Sequence, residues 1–212
     1  MTRANDIAEI LLRLKAVSIS PKQPFTWASG LRSPLYCDNR LIISTVAERR
    51  TVANAFVSLM DEQGWQPNVV AGTATAGIPH AAWIADALSL PMVYIRSAEK
   101  KHGKQNRIEG RLPEDARAVV IEDLISTGGS SVSAAQALEE SGARILGVAA
   151  IFSYGMDKAT RAFAEAGMAH ATLTNLESLL AAAVTRGDLD EAERELVASW
   201  RVDPVAWSER HG

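Results

Sequence analysis

The stretch NVVAGTATAGIPHAAWIADALSLPMVYIR, residues 68–96, decides the architecture. Its two ends, NVVAG (68–72) and PMVYIR (91–96), are short runs without a polar face, and IPHAAWIADALSL (78–90) between them has the length and pattern of a helix. The alternation continues outward. AVVIED (118–123) reads as a third strand, a Gly/Ser turn follows, SVSAAQALEESG (131–142) is helical, and ARILGVAAIFSY (143–154) is a fourth strand. Strands apolar on both faces require helices on both sides, and strand–helix alternation means βαβ units with right-handed crossovers. The expected fold is therefore α/β, a mostly parallel central sheet flanked by helices. Ligands in such sheets bind beyond the carboxyl ends of the strands, so the loops after residues 72, 96 and 123 should line one site.

Further out the pattern changes. Toward the N-terminus, residues 45–63 are helical, with Val52, Phe56 and Leu59 on one face, and a helix over about 3–17 precedes short extended pieces broken by Pro21, Pro24, Gly30 and Pro34. Toward the C-terminus, 156–166, 176–184 and 190–200 read as helices. The tail SWRVDPVAW (199–207) offers two tryptophans to pack against the domain or a subunit partner.

The chemistry concentrates in VVIEDLISTGGSS (119–131). A buried strand ends in two acids, Glu122 and Asp123, and a turn rich in Ser, Thr and Gly opens a helix. Unpaired N–H groups at such a helix start, at the positive end of its dipole, hold a phosphate. Gly128 and Gly129 let the backbone curl around an anion, and Ser126, Thr127, Ser130 and Ser131 offer hydroxyls. The acids would repel phosphate. As hydrogen-bond acceptors they suit ribose hydroxyls or the water shell of a Mg²⁺ ion. Taken singly, each residue reads as a strand-end acid or a helix cap, and only the ordered set points to a site. No Gly-Lys-Ser/Thr follows at Walker A spacing, and no G-x-G-x-x-G turn follows a strand, which sets aside a dinucleotide-binding oxidoreductase.

Composition narrows the class. With 212 residues, 47% of them apolar, the chain can bury a core without disulfides or a structural metal, and the only cysteine, Cys37, has no partner for a disulfide. The amphipathic start carries Asp6 and Glu9, unlike a secretory leader, and the longest apolar run, 145–152, is too short to span a bilayer, so a cytoplasmic protein without membrane contact is expected. The net charge is −3, yet residues 96–111 hold six Lys/Arg against two Glu. That is a local +4 on a remainder of −7, which argues against nucleic acid as a partner.

The 119–131 set resembles the motif of type I phosphoribosyltransferases that binds phosphoribosyl diphosphate (PRPP). Three other segments are similar to orotate phosphoribosyltransferases: FTWASGLRSPLYCDNR (25–40) to the N-terminal hood, AGTATAGIPHAA (71–82) to the pyrophosphate loop, and RSAEKKHGKQNRIEG (96–110) to the mobile catalytic loop. The tail fits one branch of that family. The resemblance spans nearly the whole chain. It implies the type I phosphoribosyltransferase fold in a single domain, with a small hood over about 1–43 and a core over about 44–212.

The same resemblance implies the reaction of orotate with PRPP to orotidine 5′-monophosphate and pyrophosphate, in de novo pyrimidine (UMP) biosynthesis. Glu122 and Asp123 become the ribose ligands, and Leu124, Ile125, Ser126, Thr127, Gly128, Gly129 and Ser130 complete the PRPP site. Thr73, Ala74, Thr75, Ala76 and Gly77 receive pyrophosphate, and Arg96, Lys100 and His102 face it as the catalytic groups, with Lys101 beside them. Orotate is read by Ser126 and by the backbone near Tyr36 and Cys37, with Arg40 either a further candidate for its carboxylate or a salt-bridge anchor of the hood. Mg²⁺ is implied as the cofactor, held through PRPP and water and not directly by the protein. A homodimer sharing the catalytic loop across its interface is implied too.

The chain also departs from the pattern. Ala28 stands where some members have a hood lysine, Ala76 where they have a lysine in the pyrophosphate loop, and Ser153–Tyr154 where some have an arginine for orotate. The groups that hold the orotate carboxylate are thus left open. His80 is expected at solvent, and Cys37 is expected to be a buried thiol rather than a nucleophile. A phosphoribosyltransferase for another base, or a PRPP-sensing regulator on the same fold, are the alternative readings.

Overall fold

The computed structural model describes residues 2–27, 29–97 and 107–211. Helix α1 (Arg3–Arg13) is capped by the Thr2 hydroxyl and buries Ile7, Ala8, Ile10 and Leu11. It stops short of residue 17, because Lys15 adopts φ 54° and turns the chain into β1 (Val17–Ile19). Two small antiparallel pairs follow: β2 (Phe25–Thr26) with β3 (Arg32–Ser33), and β1 with β4 (Leu35–Cys37). A 3-10 turn over Asn39–Ser44 leads to α2 (Val46–Glu62).

The core then winds as expected apart from an added strand, β7: β5 (Val69–Thr73), α3 (Gly77–Leu88), β6 (Met92–Ile95), β7 (Ile108–Glu109), β8 (Arg117–Ile125), α4 (Gly129–Glu140) and β9 (Arg144–Ser153). After it come α5 (Asp157–Glu165), β10 (His170–Asn175), α6 (Leu176–Arg186), α7 (Glu191–Trp200) and α8 (Pro204–Arg210). The sheet order is β10-β9-β8-β5-β6-β7, parallel throughout except for β7 at one edge. Strands β7 and β10 and helix α8 lie outside the sequence reading. Only Leu173 and Thr174 of β10 are buried, so the pattern of β10 resembles a connection between helices.

Alternate side chains of the strands serve opposite faces, as a two-residue period demands. On β8, Val119 and Ile121 join the layer formed with α1, α2, α3 and α6, whereas Ala118 and Val120 join the layer under α4 and α5. The carboxyl ends of β5, β6 and β8 therefore lie side by side at one end of the sheet. Among the described residues, no helix is long and apolar enough to cross a membrane.

Candidate active site

Strand β8 carries the acid pair to that end. The Glu122 carboxylate is buried: its Oε1 accepts from Thr73 Oγ1 at 2.7 Å and from the Asp123 amide at 3.1 Å, and Ser131 Oγ donates to Oε2 at 3.2 Å. Burial pushes its pKa up to about 7, and the neighbouring Asp123 charge adds to the rise. Asp123 is half-buried and also raised, chiefly by burial. Its carbonyl accepts from Asn39 Nδ2 at 2.7 Å, which ties the 3-10 turn to the strand end.

The turn after β8 has the features of an anion cradle. Gly128 takes φ +80° as the N-cap of α4, and Thr127, Gly129 and Ser130 are exposed at the helix start, where N–H groups point outward unpaired. The Ile125 side chain is in the core, so that residue meets a ligand through its backbone only. Across the sheet end, Thr73 is turned inward onto Glu122, while Ala74, Thr75 and Ala76 form the open bend before α3, with a cis Ala74–Thr75 peptide.

Arg96 leaves the end of β6. Its amide donates to the Arg107 carbonyl at 2.8 Å, and its guanidinium lies 3.7 Å from Glu109. Arg107 donates from Nε to the Arg96 carbonyl and from Nη1 to Ser133 of α4. The stem of the basic loop is thus fastened to the helix of the anion cradle. No sequence spacing announced that role for Arg107. Lys100, Lys101 and His102 lie outside the described residues, as does Ala28.

Tyr36, Cys37 and Ser126 meet as expected, in a cavity of about 460 Å³ that Trp27, Leu124 and Tyr154 also line. Burial raises both the Cys37 thiol and the Tyr154 hydroxyl far above their ordinary ranges, so both stay protonated. Burial at Cys37 thus disfavours the thiolate that a nucleophile needs. Trp27 anchors its indole N–H on the Leu35 carbonyl and meets Trp200 and Tyr154 at ring-centroid distances of 5.5 and 5.7 Å. The tail thus packs on its own chain. Trp200 and Trp207 are fully buried, and Ser208 Oγ accepts from the Arg32 amide of β3 at 2.9 Å.

Arg40 closes its guanidinium fork on Asp38 of the same turn, at 2.6 and 2.8 Å. One expectation needs correction: His80 is buried, not at solvent. It packs edge-on against Trp83, neither ring nitrogen has a partner among the described residues, and burial lowers its pKa to about 4. The apolar inner face of α3 takes His80 because it stands one turn before Ile84.

Residues 45–169, more than half the chain, match the family model described as "Phosphoribosyl transferase domain". That match and the strand-end site place the chain among the phosphoribosyltransferases. It is 52% identical over 204 residues to the orotate phosphoribosyltransferase of Enterococcus faecalis, covering 96% of this chain and 97% of that one. The Listeria innocua orotate phosphoribosyltransferase is 48% identical, covering 98% and 99%. The solved orotate phosphoribosyltransferase of Aeropyrum pernix superposes with a TM-score of 0.74 at 26% identity, over 87% of this chain and 99% of that one. The chain belongs to the orotate phosphoribosyltransferase family.

Proposed function

We propose that this protein transfers the 5-phosphoribosyl group of PRPP to N1 of orotate, yielding orotidine 5′-monophosphate and pyrophosphate, a step of UMP synthesis. The observation that carries the reading is Ser126. It belongs both to the β8–α4 turn and to the cavity with Tyr36 and Cys37, so a phosphoribosyl group and a base bound there meet at one point.

Asp123 and Glu122 accept from the ribose hydroxyls. Glu122 retains an acceptor direction on Oε2 beyond its bond from Ser131. Ser126, Thr127, Gly128, Gly129 and Ser130 hold the 5′-phosphate, with Leu124 and Ile125 shaping the approach. As the C1–oxygen bond breaks, pyrophosphate leaves with the electron pair, the ribose ring takes positive charge, and N1 of orotate closes on C1 while its proton passes to solvent. The loop of Thr73, Ala74, Thr75, Ala76 and Gly77 receives the pyrophosphate, and Arg96, Lys100 and His102 stabilise its growing charge.

Among the described residues, no group of three His, Cys, Asp or Glu side chains is placed to hold a metal. The strand-end acids still fit a cation near them, since burial raises both and the Asp123 charge raises Glu122 further. Mg²⁺, carried on PRPP oxygens and water, supplies charge neutralisation there when bound. The loop over 97–110 completes the site of a neighbouring subunit in a homodimer, in the cytoplasm, with the hood over about 1–43 and the core over 44–212 forming one domain.

The test mixes protein, Mg²⁺ and PRPP with orotate, adenine, guanine, hypoxanthine, xanthine or uracil and follows pyrophosphate release. Orotate turnover that stops without Mg²⁺ is the expected result. Turnover of a purine instead would keep the PRPP site and overturn the base assignment. PRPP binding without turnover of any base would make the protein a sensor.

A further inference from the structure

Orotate is an anion, yet among the described residues the cavity that holds Tyr36, Cys37 and Ser126 has no cation in its wall. A carboxylate buried without a counter-charge is costly, so the charge must come from a neighbouring element. A second cavity, of about 330 Å³, shares Trp27 and Ser126 with the first, and its wall brings together Lys158, Arg161 and Arg201. None of the three is ion-paired to a carboxylate among the described residues.

The three cations divide by position. Lys158 and Arg161 stand on α5, whose Ala159 packs against the Gly128 backbone, so they flank the phosphate cradle. Arg201 caps the C-terminus of α7, directly after Trp200, whose ring meets those of Trp27 and Tyr154. Its Nη1 lies 3.4 Å from where a β-carbon on Gly155 would stand, beside the residue that follows Tyr154. Gly155, at φ +67°, leaves that space open to the guanidinium.

We propose that Arg201, delivered by the C-terminal tail beside Gly155, next to the Tyr154 wall of the base cavity, is the specificity-determining residue that receives the carboxylate of orotate. An arginine fork matches a carboxylate in two parallel hydrogen bonds, which a base without that group cannot use. The tail then has two roles: Trp200 packs behind the Trp27 and Tyr154 walls of the cavity, and the next residue supplies its charge. This inference rests on the orotate reading above.

Arg201 is exposed, so its substitution spares the core. Steady-state kinetics of wild type, Arg201→Ala and Arg201→Lys, with orotate and PRPP varied separately, provide the test. Loss of a charged hydrogen-bond pair should raise the KM for orotate about 10- to 100-fold in Arg201→Ala, while the KM for PRPP stays within about twofold. Arg201→Lys should recover part of the loss. Orotate quenching of tryptophan fluorescence should weaken in parallel, giving a readout independent of turnover. An unchanged KM for orotate, or an equal rise for PRPP, overturns the proposal while orotate turnover by the wild type keeps the function. Failure of the wild type to use orotate sinks the function itself, and this proposal with it.

Discussion

The β8–α4 junction and the hood–tail cavity lie at the same end of the sheet, but the chain builds them in opposite ways. The first is one continuous segment: strand, two acids, turn and helix all fall within residues 117–140. The second joins Trp27 and Tyr36 from the hood with Tyr154 after β9, backed by Trp200 from the tail, elements far apart in sequence. A local site depends on backbone conformation and caps. An assembled one depends on every long-range contact that holds its parts.

That difference predicts where each site breaks. Trp200→Ala removes a fully buried ring from the seam and should cost about 3–5 kcal/mol of stability by chemical denaturation, typical of a large-to-small core change. Folded Trp200→Ala should still bind PRPP while orotate binding suffers. A loss of PRPP affinity as large as that of orotate would show the two sites to be one mechanical unit.

A smaller effect concerns pH. Glu122 is raised from an ordinary 4.5 to about 7 in the fold, so its contribution to stability is fully present below 4.5 and lost as pH rises through 7. Buried His80, lowered from 6.5 to about 4, acts in the other direction: its contribution is present above 6.5 and lost as pH falls through 4. Between about pH 4.5 and 6.5 the two slopes oppose each other, so the melting temperature of the ligand-free protein should change little there, and Glu122→Gln, which leaves the His80 slope alone, should make it rise with pH. An identical slope in the variant would place the titration elsewhere.

The smallest effect belongs to Cys37. Its thiol stays protonated at the cavity wall, so Cys37→Ala should alter kcat less than about threefold and the KM for orotate only modestly, as loss of a small packing contact does. A collapse of kcat would restore a chemical role for the thiol.

The same contrast explains what could be read from the sequence. The alternation over 68–154 and the acid pair with its turn were legible because their signals are local: both-face apolar strands, Gly and Ser at a helix start, carboxylates at a strand end. The meeting of Tyr36, Cys37 and Ser126 came from resemblance, since no spacing relates the hood to β8. Trp27 and Tyr154 as cavity walls, Arg107 as the brace of the basic loop, and His80 turned into the core all arise from long-range packing. Strand β10 escaped because an edge strand with few buried apolar residues looks like a connection. Helix α8 escaped because its seven residues offer little beyond Pro204 and the Asp203 cap, which accepts from Ala206.

The most direct measurement is a calorimetric titration of PRPP with Mg²⁺ into wild type, Asp123→Asn and Tyr36→Ala under one set of conditions. The account predicts that Asp123→Asn weakens PRPP binding by about tenfold or more, the worth of a charged hydrogen bond to ribose, while Tyr36→Ala leaves it within about threefold. Unchanged PRPP affinity in Asp123→Asn, or an equal loss in Tyr36→Ala, would contradict the division of the site into a local phosphoribosyl half and an assembled base half.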